Sequence, residues 1–239
     1  MNNDYAHLSL KTRAKTFYFA SLFFSKELQN DVETLYFFCR YIDDIADSKK
    51  GRKFHLKKSL ESIKKQLKEK KPKNEVIAAF LKLTNKYNIE IQIPIDLING
   101  VISDLENVNI SDYEELITYS YKVAGTVGYM MCKIMNVKDK KMIFKGIQLG
   151  IAMQFTNIAR DIKEDLERGR IYFPKEFRVN TKKNFNKLIS KQSLQKEFVK
   201  DLQDYLDLTD KIYQTAWKGI IGLPLKYKIP ISVAAYLYQ

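Results

Sequence analysis

Cysteine, histidine, proline and glycine are all scarce in this chain, with 2 Cys, 2 His, 5 Pro and 9 Gly among 239 residues. Because Cys39 and Cys132 lie far apart in apolar surroundings, we predict reduced core residues rather than a disulfide or a metal pair. His7 and His55 are too few for a typical zinc site. The scarcity of glycine and proline argues against an all-β protein with many turns.

Long apolar segments are also missing. No window reaches the roughly 18 uninterrupted apolar residues that typically cross a bilayer. The N-terminal sequence MNNDYAHLSLKTRAK lacks the apolar region of a secretory signal. From these two absences we expect a cytoplasmic protein without a membrane-spanning helix.

Positive charge is in excess, and the formal net charge is +13. Such an excess of positive charge can favour binding to nucleic acid, to an anionic membrane surface or to an anionic substrate. Much of it lies in dispersed lysines between residues 57 and 73, which we interpret as a solvated helix face. Nothing resembles a zinc finger, an RNA-recognition sheet or a recognition helix, so no nucleic-acid partner is expected.

Apolar residues recur at helical spacing along the chain, and no segment shows the alternation of a strand. The pattern therefore predicts an all-α, single-domain protein of about ten helices spanning the whole chain. Ser111 and Glu114 match a capping box, which is predicted to open one long helix from Asp112 to Asn136. A last helix is expected to follow Pro230.

The segment QFTNIARDIKEDLERGRIYFP, residues 154–174, carries a first group of polar side chains. Asp161 and Asp165 are four residues apart, so both leave the same face of a helix. Asn157 lies one turn earlier on that face, and Gln154 one turn before Asn157. The preceding run IQLGIAMQF is almost entirely apolar, which indicates a buried helix.

The segment CRYIDDIAD repeats this chemistry upstream, with Asp43 and Asp47 four residues apart and Arg40 one turn before Asp43. A single acidic pair is usually a solvated helix face, but two pairs in apolar helices near arginines favour a shared function. Buried carboxylates close together repel, and a divalent cation relieves that repulsion. Oxygen ligands suit Mg²⁺ or Mn²⁺. The predicted metal ligands are Asp43, Asp47, Asp161 and Asp165.

A third segment, YSYKVAGTVGYMM at residues 119–131, is rich in small side chains, including Gly125 and Gly128. Glycine inside a helix costs about 1 kcal/mol relative to alanine, so this pattern requires a reason. Close helix packing and the wall of a long apolar pocket are both compatible with it.

With these three segments in this order, the chain resembles the squalene/phytoene synthase family from about Lys15 to Tyr238, and most closely its bacterial phytoene synthases. The resemblance implies the isoprenoid (terpenoid) synthase fold, a helical bundle around a central apolar cavity. Two departures stand out. Arg13-Ala14-Lys15-Thr16-Phe17 replaces the family's usual His-Ser-x-Ser-Phe, and the family usually continues beyond Gln239, so its last helices are expected to be missing.

The resemblance also implies a role for individual residues. It assigns the four aspartates to two Mg²⁺–diphosphate clusters. It implies catalytic roles for Tyr119, Tyr172, Arg40, Arg160 and Arg170, with the arginines on diphosphate oxygens. The substrate-binding residues that it implies are Thr16, Phe17, Tyr18, Arg40, Val123, Ala124, Gly125, Gly128, Gln154, Asn157 and Arg170.

The activity implied by the resemblance is a prenyl transfer that joins two geranylgeranyl diphosphates head to head, through a cyclopropyl diphosphate, into 15-cis-phytoene for carotenoid biosynthesis. Squalene or dehydrosqualene formation from two farnesyl diphosphates is the alternative, and only squalene would require NADPH. A non-catalytic scaffold of the same fold is a third interpretation, disfavoured because all four aspartates are present. Since the product is a lipid, we expect peripheral contact with the cytoplasmic face of a membrane.

Overall fold

The computed structural model describes residues 19–48, 52–180, 185 and 192–239. The described residues form no β-strand, only an isolated bridge between Asn109 and Ile171, so the predicted all-α fold is confirmed. None of the described helices is long and apolar enough to cross a membrane. The α-helices are α1 (Lys26–Ala46), α2 (Lys53–Glu69), α3 (Glu75–Lys86), α4 (Gln92–Ser103), α5 (Tyr113–Ser120), α6 (Thr126–Ile134), α7 (Lys140–Glu167), α8 (Gln192–Ile221) and α9 (Leu225–Tyr238).

Two predicted helix boundaries differ from the structure. The cap of α5 is Asp112, which accepts a hydrogen bond from the Glu115 backbone nitrogen at 2.9 Å, while the Glu115 carboxylate accepts one from the Ser111 nitrogen at 2.7 Å. The capping box predicted at Ser111 and Glu114 was therefore one residue early, because Asp112 and Glu115 satisfy the same pattern. Pro230 lies inside α9 rather than before it.

The predicted single α-helix from Asp112 to Asn136 is interrupted by a π-helical segment, Tyr121–Gly125, between α5 and α6. The wider π turn inserts an extra residue into the helical ladder and changes the direction of the side chains that follow. Such segments occur frequently at functional sites. Here the segment carries Val123 and Ala124, which both line the central cavity.

Helices α6 and α7 approach each other closely through glycine. A Cβ atom on Gly128 would overlap the carbonyl oxygen of Gly146, and one on Gly150 would overlap the carbonyl oxygen of Ala124. The close-packing interpretation of the small residues is therefore confirmed. Gly128 also lines the central cavity, so the pocket-wall interpretation holds at that position too.

Gly128→Ala is expected to lower the free energy of unfolding by about 1–3 kcal/mol, because the added methyl group meets rigid backbone and forces the two helices apart. Gly222→Ala is the matched control, since a Cβ there would meet its nearest atom, the Gly219 carbonyl oxygen, only at 3.5 Å. Urea unfolding followed by circular dichroism measures both. Equal stability of the two variants would contradict the close approach.

Two apolar cores flank a central cavity of about 360 Å³. The first core packs helices α1, α2, α3 and α4 together. Within it, the rings of Phe38 on α1 and Phe80 on α3 stack with their centroids 3.6 Å apart. The second core is built around Phe155 of α7 and Tyr205 of α8. The cavity lies between α1, the π-helical segment, α6, α7, α8 and α9, and both free cysteines contribute to its wall. The predicted central apolar cavity is therefore present.

Candidate active site

The first aspartate pair ends helix α1. Asp43 lines the cavity, and Asp47 is the C-cap residue of the helix. Burial raises the pKa of Asp43 to about 7; the nearby Arg40 opposes this shift, while the Asp47 and Asp104 carboxylates add to it. The neighbouring Asp44 instead faces solvent and accepts a hydrogen bond from Arg40 Nη2 at 2.5 Å. The ionised form of the Asp43 carboxyl is thus unfavourable unless a positive charge lies close to it.

The second aspartate pair lies near the end of α7. Burial raises the pKa of Asp165 to about 6, and Asp161 adds to the shift while Arg170 opposes it. Arg160 donates two hydrogen bonds to the Asp161 carboxylate, at 2.7 and 2.6 Å. Asp161 is therefore already partnered by an arginine. The carboxylate of Asp165 is influenced by Asp161 and Glu164 on one side and by Arg170 and Arg168 on the other.

Gln154 and Asn157 precede this pair on α7 and line the same cavity as Asp43. Asn157 Nδ2 donates to Gln154 Oε1 at 3.2 Å. The Asn157 Oδ1 atom is buried and has no hydrogen-bond partner in the described part of the chain. Since buried polar atoms are normally satisfied, this oxygen is available to a ligand of the cavity.

Arg170 lies between the two aspartate pairs. Its Nη1 atom is 3.6 Å from Asp47 Oδ1, and its charge opposes the rise in pKa of both Asp104 and Asp165. The preceding Gly169 ends α7 with φ of +72°, a left-handed conformation that favours glycine, and the Arg170 nitrogen then donates to the Asp165 carbonyl oxygen at 2.8 Å. This turn directs the Arg170 guanidinium towards the aspartates. Arg170 is therefore a cation shared by Asp47 of the first motif and Asp165 of the second.

Asp104, the C-cap residue of α4, is a member of the site that the sequence analysis missed. It accepts a hydrogen bond from the Tyr172 hydroxyl at 2.8 Å, and the Tyr172 ring stacks on that of Tyr119 with centroids 4.9 Å apart. Burial raises the pKa of Asp104 to about 6, while hydrogen bonds from Tyr172 and Tyr119 oppose the shift. Both predicted catalytic tyrosines are thus held by a carboxylate that also faces Asp43 and Asp47. The only sequence signal was one acid directly after an apolar helix.

Asp104→Asn is expected to lower kcat/KM by about 100-fold and to alter the acidic limb of the pH–rate profile, because the amide keeps an acceptor but loses the charge. Glu106→Gln is the control, since this exposed residue only pairs with Lys57 at 3.2 Å, and its turnover should stay within about twofold of the parent. Initial rates of product formation across pH 5 to 9 measure the effect. An unchanged rate and profile for Asp104→Asn would remove this residue from the site.

The remaining predicted residues divide into three groups. Val123, Ala124 and Gly128 line the cavity as predicted. Gly125 does not; a Cβ there would meet Tyr121, Ile147 and Ile151 side chains at 3.0–3.4 Å, so its place is in helix packing rather than in the cavity wall. Three predicted substrate-binding residues lie outside the described part of the chain, namely Thr16, Phe17 and Tyr18.

The other two predicted arginines are less central than Arg170. Arg160 is 59% exposed and bound to Asp161, with Tyr238 of α9 beside it. Arg40 is half-buried, and its Nε atom is buried without a hydrogen-bond partner among the described residues. Arg40 therefore has one buried N–H donor that no described residue accepts. Arg160, in contrast, donates its hydrogen bonds to the neighbouring Asp161 carboxylate.

The donor set fits a metal–diphosphate site rather than a closed protein metal site. No three acids, histidines or cysteines of the described residues form a group that could hold a metal ion by themselves. Each motif instead offers two carboxylates, and Mg²⁺ is usually held by one or two carboxylates together with substrate phosphate oxygens. The raised pKa values of Asp43 and Asp165 and the unpartnered Asn157 oxygen agree with such a ligand.

Comparison with known sequences identifies one family. The squalene/phytoene synthase family model matches residues 10–239. The 15-cis-phytoene synthase of Enterobacter agglomerans is 29% identical over 240 residues, covering 96% of this chain and 81% of that protein. The 15-cis-phytoene synthase of Synechococcus elongatus is 30% identical over 245 residues, covering 95% and 78%. 

Solved structures share the fold. A dehydrosqualene synthase in complex with a ligand superposes with a TM-score of 0.84 at 23% identity, covering 99% of this chain and 83% of that one. A squalene synthase from Alicyclobacillus acidocaldarius gives a TM-score of 0.84 at 17% identity, covering 99% and 89%. Together with the match of the family model to nearly the whole sequence, these findings show that the chain belongs to the squalene/phytoene synthase family of prenyltransferases.

Proposed function

We propose that this protein is a 15-cis-phytoene synthase that joins two molecules of geranylgeranyl diphosphate head to head. The observation that supports this most strongly is the shared cavity, in which Asp43 of one motif and Gln154 and Asn157 beside the other line one apolar space. The diphosphates would bind at the acid end, and the isoprenoid chains would lie along the apolar remainder. The relatives named 15-cis-phytoene synthase point to the twenty-carbon substrate.

The acid end of the cavity would bind the two diphosphates. Asp43, Asp47, Asp161 and Asp165 would hold Mg²⁺ or Mn²⁺, which when bound neutralises the charge that develops on a leaving diphosphate. Arg170 supplies a fixed positive charge between the two aspartate pairs, where a guanidinium can donate two parallel hydrogen bonds to phosphate oxygens. The charge of Arg40 acts on Asp43, and its buried Nε donor has no hydrogen-bond partner among the described residues.

The apolar wall would protect the carbocations from water. In the first half-reaction, one diphosphate leaves and the double bond of the second substrate attacks the allylic cation. Loss of a proton then closes a cyclopropylcarbinyl diphosphate. The released diphosphate accepts that proton, or Tyr119 does so while passing its phenolic proton to Asp104, to which it is hydrogen-bonded. The second diphosphate then leaves, and the resulting cation rearranges to the 1–1′ linked skeleton. Loss of a second proton, which the released diphosphate can accept, then gives the neutral hydrocarbon.

The alternative product class is squalene or dehydrosqualene from two farnesyl diphosphates, and the structural neighbours of those names favour keeping it in the test. A product assay distinguishes the possibilities. The protein is incubated with Mg²⁺ and either substrate, with and without NADPH, and the extracted hydrocarbon is identified by mass spectrometry. A forty-carbon product without reductant supports phytoene synthesis; a thirty-carbon product moves the assignment, and NADPH dependence then separates squalene from dehydrosqualene. No product from folded protein would support a non-catalytic scaffold.

We also propose that the enzyme acts while bound peripherally to the cytoplasmic face of a membrane. The reason is the solubility of its reactants, because the diphosphate substrates are amphipathic and the hydrocarbon product is insoluble in water. Prenyl diphosphates would be its ligands.

A further inference from the structure

The end of the bundle opposite the aspartates forms a distinct surface, which we call the distal face and define by residues 134–146 and 218–229 together with Phe23. At 1.5 Å per residue, Met142 near the start of α7 lies about 28 Å from Asp161 along the helix. Met142 packs near Gly222, with its Cε atom 3.6 Å from the position of a Gly222 Cβ, and Phe23 shares a shallow pocket with Asn136 and Lys226. These contacts bring the three stretches of chain together.

Positive charge dominates the distal face. Its two chain segments contain seven lysines and one acid, Asp139, and that carboxylate is occupied as the N-cap of α7, where it accepts from the Lys141 nitrogen at 2.8 Å. No ion pair joins any of the seven lysines to another residue that the structure describes. These lysines are Lys138, Lys140, Lys141, Lys145, Lys218, Lys226 and Lys228.

Large apolar side chains stand exposed among these lysines. Ile221 and Leu225 are 68% and 69% exposed, and Phe144 and Phe23 are 56% and 47% exposed. Leu225 adjoins Lys226, and the Lys145 ammonium lies 5.9 Å from the centre of the Phe144 ring. Lysines attract anionic headgroups, and exposed apolar side chains gain free energy by entering the boundary of the acyl chains. The mixture therefore matches a lipid surface better than a purely polyanionic partner.

The central cavity reaches this end of the bundle, since Met135, Met142 and Leu223 are part of its lining. We propose that the distal face docks on an anionic lipid bilayer, with the far end of the cavity towards the lipid and the diphosphate end in water. The docking itself is a property of the surface; its purpose, delivery of an apolar product to the bilayer, rests on the proposed function.

Vesicle co-sedimentation tests this proposal. The full chain is mixed with phosphatidylcholine vesicles with or without 30 mol% phosphatidylglycerol, a composition on the order of natural anionic membranes. The distal variant carries Lys138→Gln, Lys140→Gln, Lys141→Gln and Lys226→Gln. Because each lysine near an anionic surface contributes about fivefold to binding, we expect at least about 100-fold weaker partitioning to the anionic vesicles.

Lysines on helix α2 and in the loop after it provide the matched control, because they are exposed and their replacement removes the same net charge. Lys53→Gln, Lys58→Gln, Lys68→Gln and Lys71→Gln together should weaken partitioning by less than about tenfold. A second distal variant, Ile221→Ser with Leu225→Ser, should weaken it by about tenfold without changing the net charge.

Equal losses in the two lysine variants would overturn the proposal, as would an absence of binding to anionic vesicles or preferential binding of the parent protein to duplex DNA. Turnover of geranylgeranyl diphosphate in detergent micelles is measured in parallel. Vesicle binding without turnover would refute the proposed function and leave the docking face standing. Turnover without vesicle binding would refute the docking face alone.

Discussion

Asp43→Asn and Asp165→Asn are each expected to lower kcat/KM by about 1,000-fold or more, because each removes a carboxylate from the site proposed to hold metal and diphosphate. Asn is nearly the same size as Asp, so the cavity wall that contains Asp43 stays intact. The rate of hydrocarbon formation from geranylgeranyl diphosphate at saturating Mg²⁺ measures the loss. Parent-like turnover in either variant would refute the two-motif site.

Glu164→Gln is the control for the second motif. Glu164 adjoins Asp165 in sequence, but it is exposed and pairs with Arg168 at 2.6 Å. Removing an exposed charge of this kind usually changes little. We therefore expect kcat/KM within about threefold of the parent. A large loss would show that the total negative charge at the end of α7 matters, rather than the Asp165 carboxylate itself.

The same Asp43→Asn substitution should stabilise the protein in the absence of metal. Burial raises the folded-state pKa of Asp43 to about 7, above its ordinary value near 3.9. The native state therefore binds more protons than the unfolded state between about pH 4 and pH 7, and stability falls as pH rises through this window. At pH 8 in EDTA the variant should be more stable than the parent by up to about 4 kcal/mol. Urea unfolding at pH 5 and pH 8 measures this difference, which should shrink to about 1–2 kcal/mol at the lower pH.

Arg170→Gln is expected to lower kcat/KM by about 100- to 1,000-fold, with a rise in KM. Arg170 lies 3.6 Å from Asp47 and opposes the rise in pKa of both Asp104 and Asp165, so its removal leaves the acids without their shared cation. Their pKa values should rise, and the acidic limb of the pH–rate profile should move to higher pH. Steady-state kinetics between pH 5.5 and 9 measure both effects.

Arg168→Gln is the matched control, since Arg168 lies two residues away and its ion pair with Glu164 is exposed. We expect near-parental kinetics and an unmoved pH profile. If the two arginine variants lost activity equally, the effect would be one of net positive charge, and the specific position of Arg170 between the motifs would carry no weight.

Sequence periodicity was sufficient to predict the all-α fold class and to place each acidic pair on one helix face, whereas the isoprenoid synthase fold was implied by the family resemblance. Helices are local structures, so their apolar spacing and their caps are visible in the chain, as Ser25 shows by accepting a hydrogen bond from the Leu28 nitrogen at 3.5 Å. A spacing of four residues on a helix also fixes a common face, which is why Asp161 and Asp165 could be assigned together. The family resemblance then supplied roles for these residues.

Other features depend on contacts between distant segments, and local patterns do not contain them. Asp104 belongs to the site because α4 ends where Tyr172 arrives, 68 positions later in the chain. Gly125 and Gly128 look equivalent in sequence, but they have different surroundings. Gly125 ends the π-helical segment and packs against α7, whereas Gly128 lines the cavity. The position of Arg170 depends on the left-handed turn at Gly169 as well as on the opposite motif.

The central claim is that both aspartate motifs and Arg170 together form one site for metal ions and the diphosphates of the substrates. A crystal structure with Mn²⁺ and the unreactive S-thiolo analogue of geranylgeranyl diphosphate tests it directly, because anomalous scattering locates manganese independently of the protein phases. The account predicts manganese bound to carboxylate oxygens from both α1 and α7, with the diphosphate against Arg170 and the isoprenoid chain in the cavity. Manganese at only one motif, or a diphosphate bound to the lysines of the distal face, would contradict it.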